Sequence, residues 1–146
     1  MTPRDLLSFL RGHRMAVQAS VSSAGAPQSA VVGFVVSDRF EFLFDTLDST
    51  RKVINLRLNA KASLVVGGLA AGEERTAQID GIADEPRGAE LERLKSLYFE
   101  RFPDGRERQK WPGLTYIRVR PTWIRFSNFN QKPPEIVEFR SADLKS

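Results

Sequence analysis

The chain has no cysteine and a single histidine, His13, among its 146 residues. The first absence removes disulfides, thiolate nucleophiles and any cysteine-built zinc site. The second makes a Ser-His-Asp arrangement depend on His13, which follows the first apolar helix pattern and is flanked by Arg11 and Arg14. An imidazole placed there is expected to contact the C-terminal carbonyls of that helix. Carboxylates are dispersed along the chain, so an all-oxygen hydrolytic metal site is not expected. No apolar run reaches membrane-spanning length. The opening MTPRDLLSFL carries Asp5 early and lacks a small-residue cleavage site, so it does not read as a secretory signal. It reads as a helix capped by Thr2 with Pro3 in its first turn, and a cytoplasmic location is expected. With thiol, imidazole and metal chemistry poorly supplied, reactivity is expected to come from an organic cofactor.

What is present suits one soluble globular domain spanning residues 1–146. Hydrophobic residues make up 41% and charged residues 27%, ordinary values for a folded chain large enough to bury a core. The segment Phe40 to Asn59, FEFLFDTLDSTRKVINLRLN, carries most of the information. Phe40, Phe42 and Phe44 alternate on one face, as in a half-buried strand. The strand runs into Asp45, Thr46, Asp48, Ser49 and Thr50, which are helix-capping types, then into Arg51 and Lys52. Val53, Ile54, Leu56 and Leu58 follow at helical spacing. Such a helix start offers amides with no internal partner, a favourable dipole, hydroxyls and two adjacent cations, which together suit a phosphate. The competing reading is a capped amphipathic helix whose cations are simply solvated.

The rest of the chain reads as a small antiparallel barrel. Arg14 to Val21 and Gln28 to Val36 form two strands around the turn Ser22–Pro27, the second apolar on both faces with Gly33 at its centre. A glycine inside a strand marks close backbone approach or a bulge. Lys61 to Val66 and Arg75 to Asp84 are further strands. Pro86 opens a helix with Ala89, Leu91, Leu94, Leu97 and Tyr98 on one side. Phe102 to Gly113 is a loop. A sixth strand over Thr115–Val119 turns a corner at Pro121 into a seventh at Trp123–Phe126. The tail from Asn128 to Phe139 is expected to pack as an arm, forming no element of its own. Six or seven short strands with few helices imply closure, which removes exposed edges.

Several motifs in this order resemble the pyridoxamine 5′-phosphate oxidase-like family of FMN-binding split barrels. They are the leading helix Leu6–Arg11, the strand-turn-strand with Gly25-Ala26-Pro27, and Phe44-Asp45-Thr46. Thr50-Arg51-Lys52-Val53, Asn55-Leu56 and Asn59-Ala60-Lys61-Ala62-Ser63-Leu64 complete the set. The resemblance covers residues 5 to 85 and, more loosely, Tyr116 to Phe126. It implies FMN as cofactor, its phosphate held by Arg51 and Lys52 with Asp45, Thr46 and Ser49 nearby. It places the ring along the backbone of Val31, Val32, Gly33 and Phe34. It further implies a homodimer whose sites are completed across the interface, with Trp111, Arg120 and Trp123 as candidates, and a small-molecule substrate for flavin hydride chemistry.

Oxidases of pyridoxamine phosphate carry an Arg-rich second strand and a C-terminal Arg-x-His motif. Here the strand is Ser29-Ala30-Val31-Val32-Gly33-Phe34 and the C-terminal half has no histidine. The glutamine of their fifth strand is replaced by Thr76, with Gln78 two residues on. Vitamin B6 oxidation is therefore not expected. Some relatives bind deazaflavin or haem instead, so a non-catalytic carrier or sensor is the alternative. The net charge of +4 also admits an RNA-binding sheet built on Tyr116, Arg118, Arg120, Trp123 and Arg125. A flavin phosphate accounts for the excess charge more simply, and neither nucleic acid nor membrane is expected as a partner.

Overall fold

The computed structural model describes residues 1–145. Helix α1, Pro3–Arg11, begins as expected: Thr2 accepts a hydrogen bond from the Asp5 amide while Asp5 caps the Thr2 amide in return. Strands β1 (Met15–Val21), β2 (Pro27–Gly33), β3 (Val35–Val36) and β4 (Phe42–Leu47) follow. Next come α2 (Arg51–Leu58), β5 (Lys61–Gly67), β6 (Arg75–Asp84), α3 (Gly88–Arg101) and the one-turn α4 (Gly105–Arg108). The chain finishes with β7 (Leu114–Asn128), β8 (Glu135–Arg140) and a 3₁₀ turn, Ser141–Leu144.

The strands form one antiparallel sheet in the order β2-β1-β5-β6-β7-β4-β3, with β8 added alongside β7. The two ends of that order, β2 and β3, are successive pieces of one chain run separated by Phe34. The sheet therefore curls until a single bent run borders both β1 and β4, and the barrel is split where that run changes partner. Inside are Leu6, Leu10, Phe42, Phe44, Val53, Ile117 and Phe126, drawn from α1, α2, β4 and β7. A smaller cluster lies outside the barrel wall, where α3 lays Leu94, Tyr98 and Phe99 on Val35, Leu43 and Tyr116.

Several expectations need correction. The strand at Phe42–Leu47 is buried on both faces and not half-buried, because α3 covers Leu43 while Phe42 and Phe44 fill the barrel. Phe40 precedes the strand in a left-handed turn, φ 60°, a conformation costing roughly 1–3 kcal/mol in a non-glycine residue; its ring is buried with the other two. The corner at Pro121 does not form: β7 is one strand of 15 residues. Pro121 is tolerated because neither β4 nor β8 pairs at that position and the register against β6 shifts there. Gly81 admits the bulge, since a Cβ on it would stand 2.6 Å from the Arg120 carbonyl oxygen. Finally, the tail is no loose arm. Glu135–Arg140 pairs with the second half of β7 and sets Phe139 into the core. The loop expected from Phe102 also contains α4, and α3 starts at Gly88, two residues after Pro86.

Candidate functional site

The turn from β4 to α2 is built from short polar side chains that bond one another. The Thr50 hydroxyl donates to the Leu47 carbonyl at 2.8 Å and lies 3.3 Å from the Thr46 hydroxyl. Thr50 is the cap residue, yet its side chain makes no bond to the first helical turn, and that turn contains no acid. The leading amides of α2 are therefore left for an external acceptor. Arg51 is exposed and Lys52 half-buried. Neither joins any ion pair formed among the described residues. Burial pulls the Lys52 ammonium below its ordinary pKa, as expected for a charge removed from water without compensation. Ser49 is exposed beside them.

The backbone of β2 faces this turn across the split. The Phe34 amide donates to Arg14 at 3.0 Å, so the alternation of an antiparallel ladder directs Val32 to β1 and Val31 and Gly33 to the other side. On that side the pairing with β4 stops after Val35–Leu43 and Val36–Phe42. Extended by the same register, Gly33 would lie across from Asp45 and Val31 from Leu47, but no ladder forms there. Val32 and Phe34 turn their side chains into the barrel, whereas Val31 is 61% exposed. Gly33 does mark a close approach, but by this chain's own Phe102: a Cβ would meet the ring at 3.0 Å.

Asp45 is engaged elsewhere. It accepts from Arg108 Nε at 2.8 Å and from the Tyr98 hydroxyl at 2.9 Å. Burial alone would lower the Arg108 pKa, but the bond and charge of Asp45 outweigh it and raise it. Asp45 thus fastens α3 and α4 to the barrel wall. The loop after α4 comes with them: the Trp111 amide bonds Arg108, and the Asp48 amide donates to Gly113 at 2.8 Å. The exposed Trp111 accordingly belongs to a loop touching the β4–α2 turn of its own chain. The Thr46–Thr50 hydroxyl pair is the feature the sequence reading under-used; the four-residue spacing across a strand end and a helix cap was its signal.

Arg120 and Trp123 are not brought to this turn within one chain. Thr115 pairs with Thr46, and Trp123 lies eight residues further along β7, roughly 26 Å at the usual rise per residue. Arg120 stands 3.6 Å from Asp84 and 3.8 Å from Glu90, and Trp123 is half-buried opposite Asp80 and Arg140.

The basic aromatic stripe does not exist as a surface, because Tyr116 and Arg118 are buried. Arg118 bonds Asp84 through both Nε and Nη2, and donates from Nη1 to Glu41 at 3.1 Å and Glu90 at 2.7 Å. Burial would raise the Glu41 carboxyl. Hydrogen bonds from Arg93, Ser37 and Arg118 override that and hold it at about 2. His13 makes the expected helix-end contact, its Nδ1 lying 2.9 Å from the Phe9 carbonyl oxygen. Among the described residues no group of acidic or histidine side chains is arranged to hold a metal, and no helix is long and apolar enough to cross a membrane.

The family model of pyridoxamine 5′-phosphate oxidase matches residues 2–128. Solved structures with the same fold include a haem-binding protein from Mycobacterium smegmatis, with TM-score 0.84 and 12% identity. The alignment covers 99% of this chain and 60% of that one, so this chain spans little more than half its length. The haem storage protein HutZ from Vibrio cholerae superposes with TM-score 0.72 at 17% identity, over 96% of this chain and 95% of HutZ. General Stress Protein 26 from Bacillus anthracis gives 0.70 at 19%, covering 94% and 98%. No functionally curated protein matches the sequence.

Proposed function

The chain belongs to the pyridoxamine 5′-phosphate oxidase family, and from that premise we propose that it binds FMN at the β4–α2 turn and serves as a flavin-dependent oxidoreductase. The observation that carries the reading is Lys52, a half-buried ammonium at a helix start with no carboxylate partner among the described residues. Arg51 adds a second charge, and the α2 amides with the Thr46, Ser49 and Thr50 hydroxyls supply donors of the kind a phosphate dianion accepts. The unladdered Val31 and Gly33 backbone offers donors and acceptors to the edge of a flat heterocycle. When bound, FMN would supply hydride transfer to or from a small substrate. The chain's own part is to neutralise the phosphate, orient the ring and exclude water. Asp45 is not free to act as an acid or base at the turn, since it is committed to Arg108 and Tyr98.

A second subunit completes the site in this proposal. Val31, Val17 and Val65 lie side by side in register on the outer face, with Met15 and Ile82 also exposed there. A two-fold interface would cover that face and bring the partner chain's β7, with Arg120 and Trp123, within reach of a flavin. Light scattering tests this directly: a monomer at micromolar concentration overturns it. Haem is the second reading, favoured by the haem-binding and haem-storage neighbours. Against it, the lone imidazole is engaged at the α1 end, 2.9 Å from the Phe9 carbonyl. The visible spectrum of the purified protein after incubation with each cofactor decides between them. Flavin bands with quenched fluorescence are expected. A Soret band with no flavin uptake transfers the site to haem, and neither signal sinks both.

A further inference from the structure

A second pair of cations, Arg14 and Arg101, also enters no ion pair among the described residues. The C-terminal ends of α1 and α3 meet over β3 around a groove of about 330 Å³ floored by Leu10, Phe34, Val35, Val36 and Leu97. Arg101 donates from Nη1 to the Arg11 carbonyl at 2.7 Å, and Arg14 donates from Nη2 to the Arg101 carbonyl at 3.2 Å. Each guanidinium thus closes the last carbonyls of a helix, and the exchange brings two positive charges together. Arg14 is braced over the Phe102 ring, 4.7 Å from its centre. The Arg101 Nε is buried with no hydrogen-bond partner. Burial, and after it the charge of Arg14, pull the Arg101 guanidinium below its ordinary pKa.

The groove's other charged groups do not relieve this pair. Arg11 is neutralised by Asp38 at 2.8 Å. His13 is bonded to Phe9 and stands 3.9 Å from Glu73. Glu100 lines the groove, is exposed, and enters no ion pair among the described residues.

We propose that this groove binds a small organic oxyanion with an apolar body, its head between Arg14 and Arg101 and its chain on Leu10 and Leu97. An anion between two like charges relieves both, and the arginine fork matches a carboxylate in a two-pronged way. The aliphatic floor gives a bare inorganic ion nothing to hold. The volume lies at the lower end for small-molecule pockets, which limits the ligand to a short chain. The site shares no cation with the β4–α2 turn and stands independently of the flavin reading.

Calorimetric titration of the full chain with octanoate, inorganic phosphate and 1-octanol tests the proposal. Octanoate is expected to bind, with the other two at least about tenfold weaker, because one lacks the chain and the other the charge. Arg14→Gln should weaken octanoate about tenfold or more. Leu97→Trp, which fills the groove and leaves both guanidinium groups in place, should do the same while thermal melting shows it folded. Lys52→Ala should leave octanoate unaffected. Absence of octanoate binding at millimolar concentration overturns the site. So does phosphate binding as tightly as octanoate, or octanoate affinity that survives both Arg14→Gln and Leu97→Trp.

Discussion

The two ends of strand β4 hold positive charge in opposite circumstances. Just before it, Glu41 is buried between Arg93 and Arg118, and Arg118 is matched by Asp84 and Glu90 as well. Just after it, Arg51 and Lys52 stand at a helix start whose first turn holds no acid, and neither enters an ion pair formed among the described residues. Burial is deeper at the first end, yet the uncompensated charge is at the second. Cations already neutralised by the fold have no attraction left for a ligand, and losing them breaks the packing of α3. Cations left uncompensated add little to stability and give affinity to whatever anion arrives.

The sharpest test removes Arg118. Arg118→Leu leaves Glu41 buried with Arg93 as its only guanidinium, and breaking such a pair costs about 3–5 kcal/mol. Urea unfolding should show it; a variant within experimental error of the parent would erase the contrast between the two ends. Acid probes the same end. Glu41 titrates lower folded, at about 2, than unfolded, near ~4.3. Its contribution is complete above the unfolded value and is lost as pH falls from there toward 2. The loss amounts to about 3 kcal/mol. Glu41→Gln should be less stable at neutral pH and lack this part of the acid dependence, and an unchanged profile would assign the acid sensitivity to other carboxylates.

The far end should respond in ligand affinity. Lys52→Ala should weaken FMN by about 1.5–3 kcal/mol, the worth of a charge-assisted contact, and riboflavin much less. Its unfolding midpoint should hold or rise, since a partly desolvated unpaired charge is removed. Equal weakening of both ligands would mean a damaged fold and no phosphate contact. The smallest effect is expected at Arg57, on the same helix, which bonds Glu85 through both Nε and Nη2 at an exposed position. Arg57→Ala should leave FMN affinity and the urea midpoint within error, because exposed pairs are screened. A marked loss of FMN there would extend the site along α2.

Much of this architecture was legible because local pattern and burial agree. Thr2 and Asp5 cap α1 as their spacing demands, and β6 buries its apolar face, whereas β1 buries Ala16, Gln18 and Ser20 and turns Met15 and Val17 outward. The Thr-Arg-Lys start of α2 was legible for the same reason, since capping and charge act within a few residues. Legibility failed where distant residues decide. Leu43 and Glu41 look like the wet face of a strand until α3, some fifty residues later, covers them. Asp45 looks like part of the phosphate loop until Arg108 and Tyr98 take it. Glu135–Arg140 carries a weak strand pattern and becomes β8 only because β7 runs on past Pro121 and presents a free edge.

By itself, then, the sequence determined a single antiparallel barrel without thiol chemistry and a cation-rich helix start, because periodicity, capping and composition are properties of neighbouring residues. Only the tertiary structure decided which cations are neutralised. Arg118 and Lys52 are alike as symbols in a chain, and the presence or absence of a carboxylate a few ångströms away depends on how strands and helices far apart in sequence are brought together.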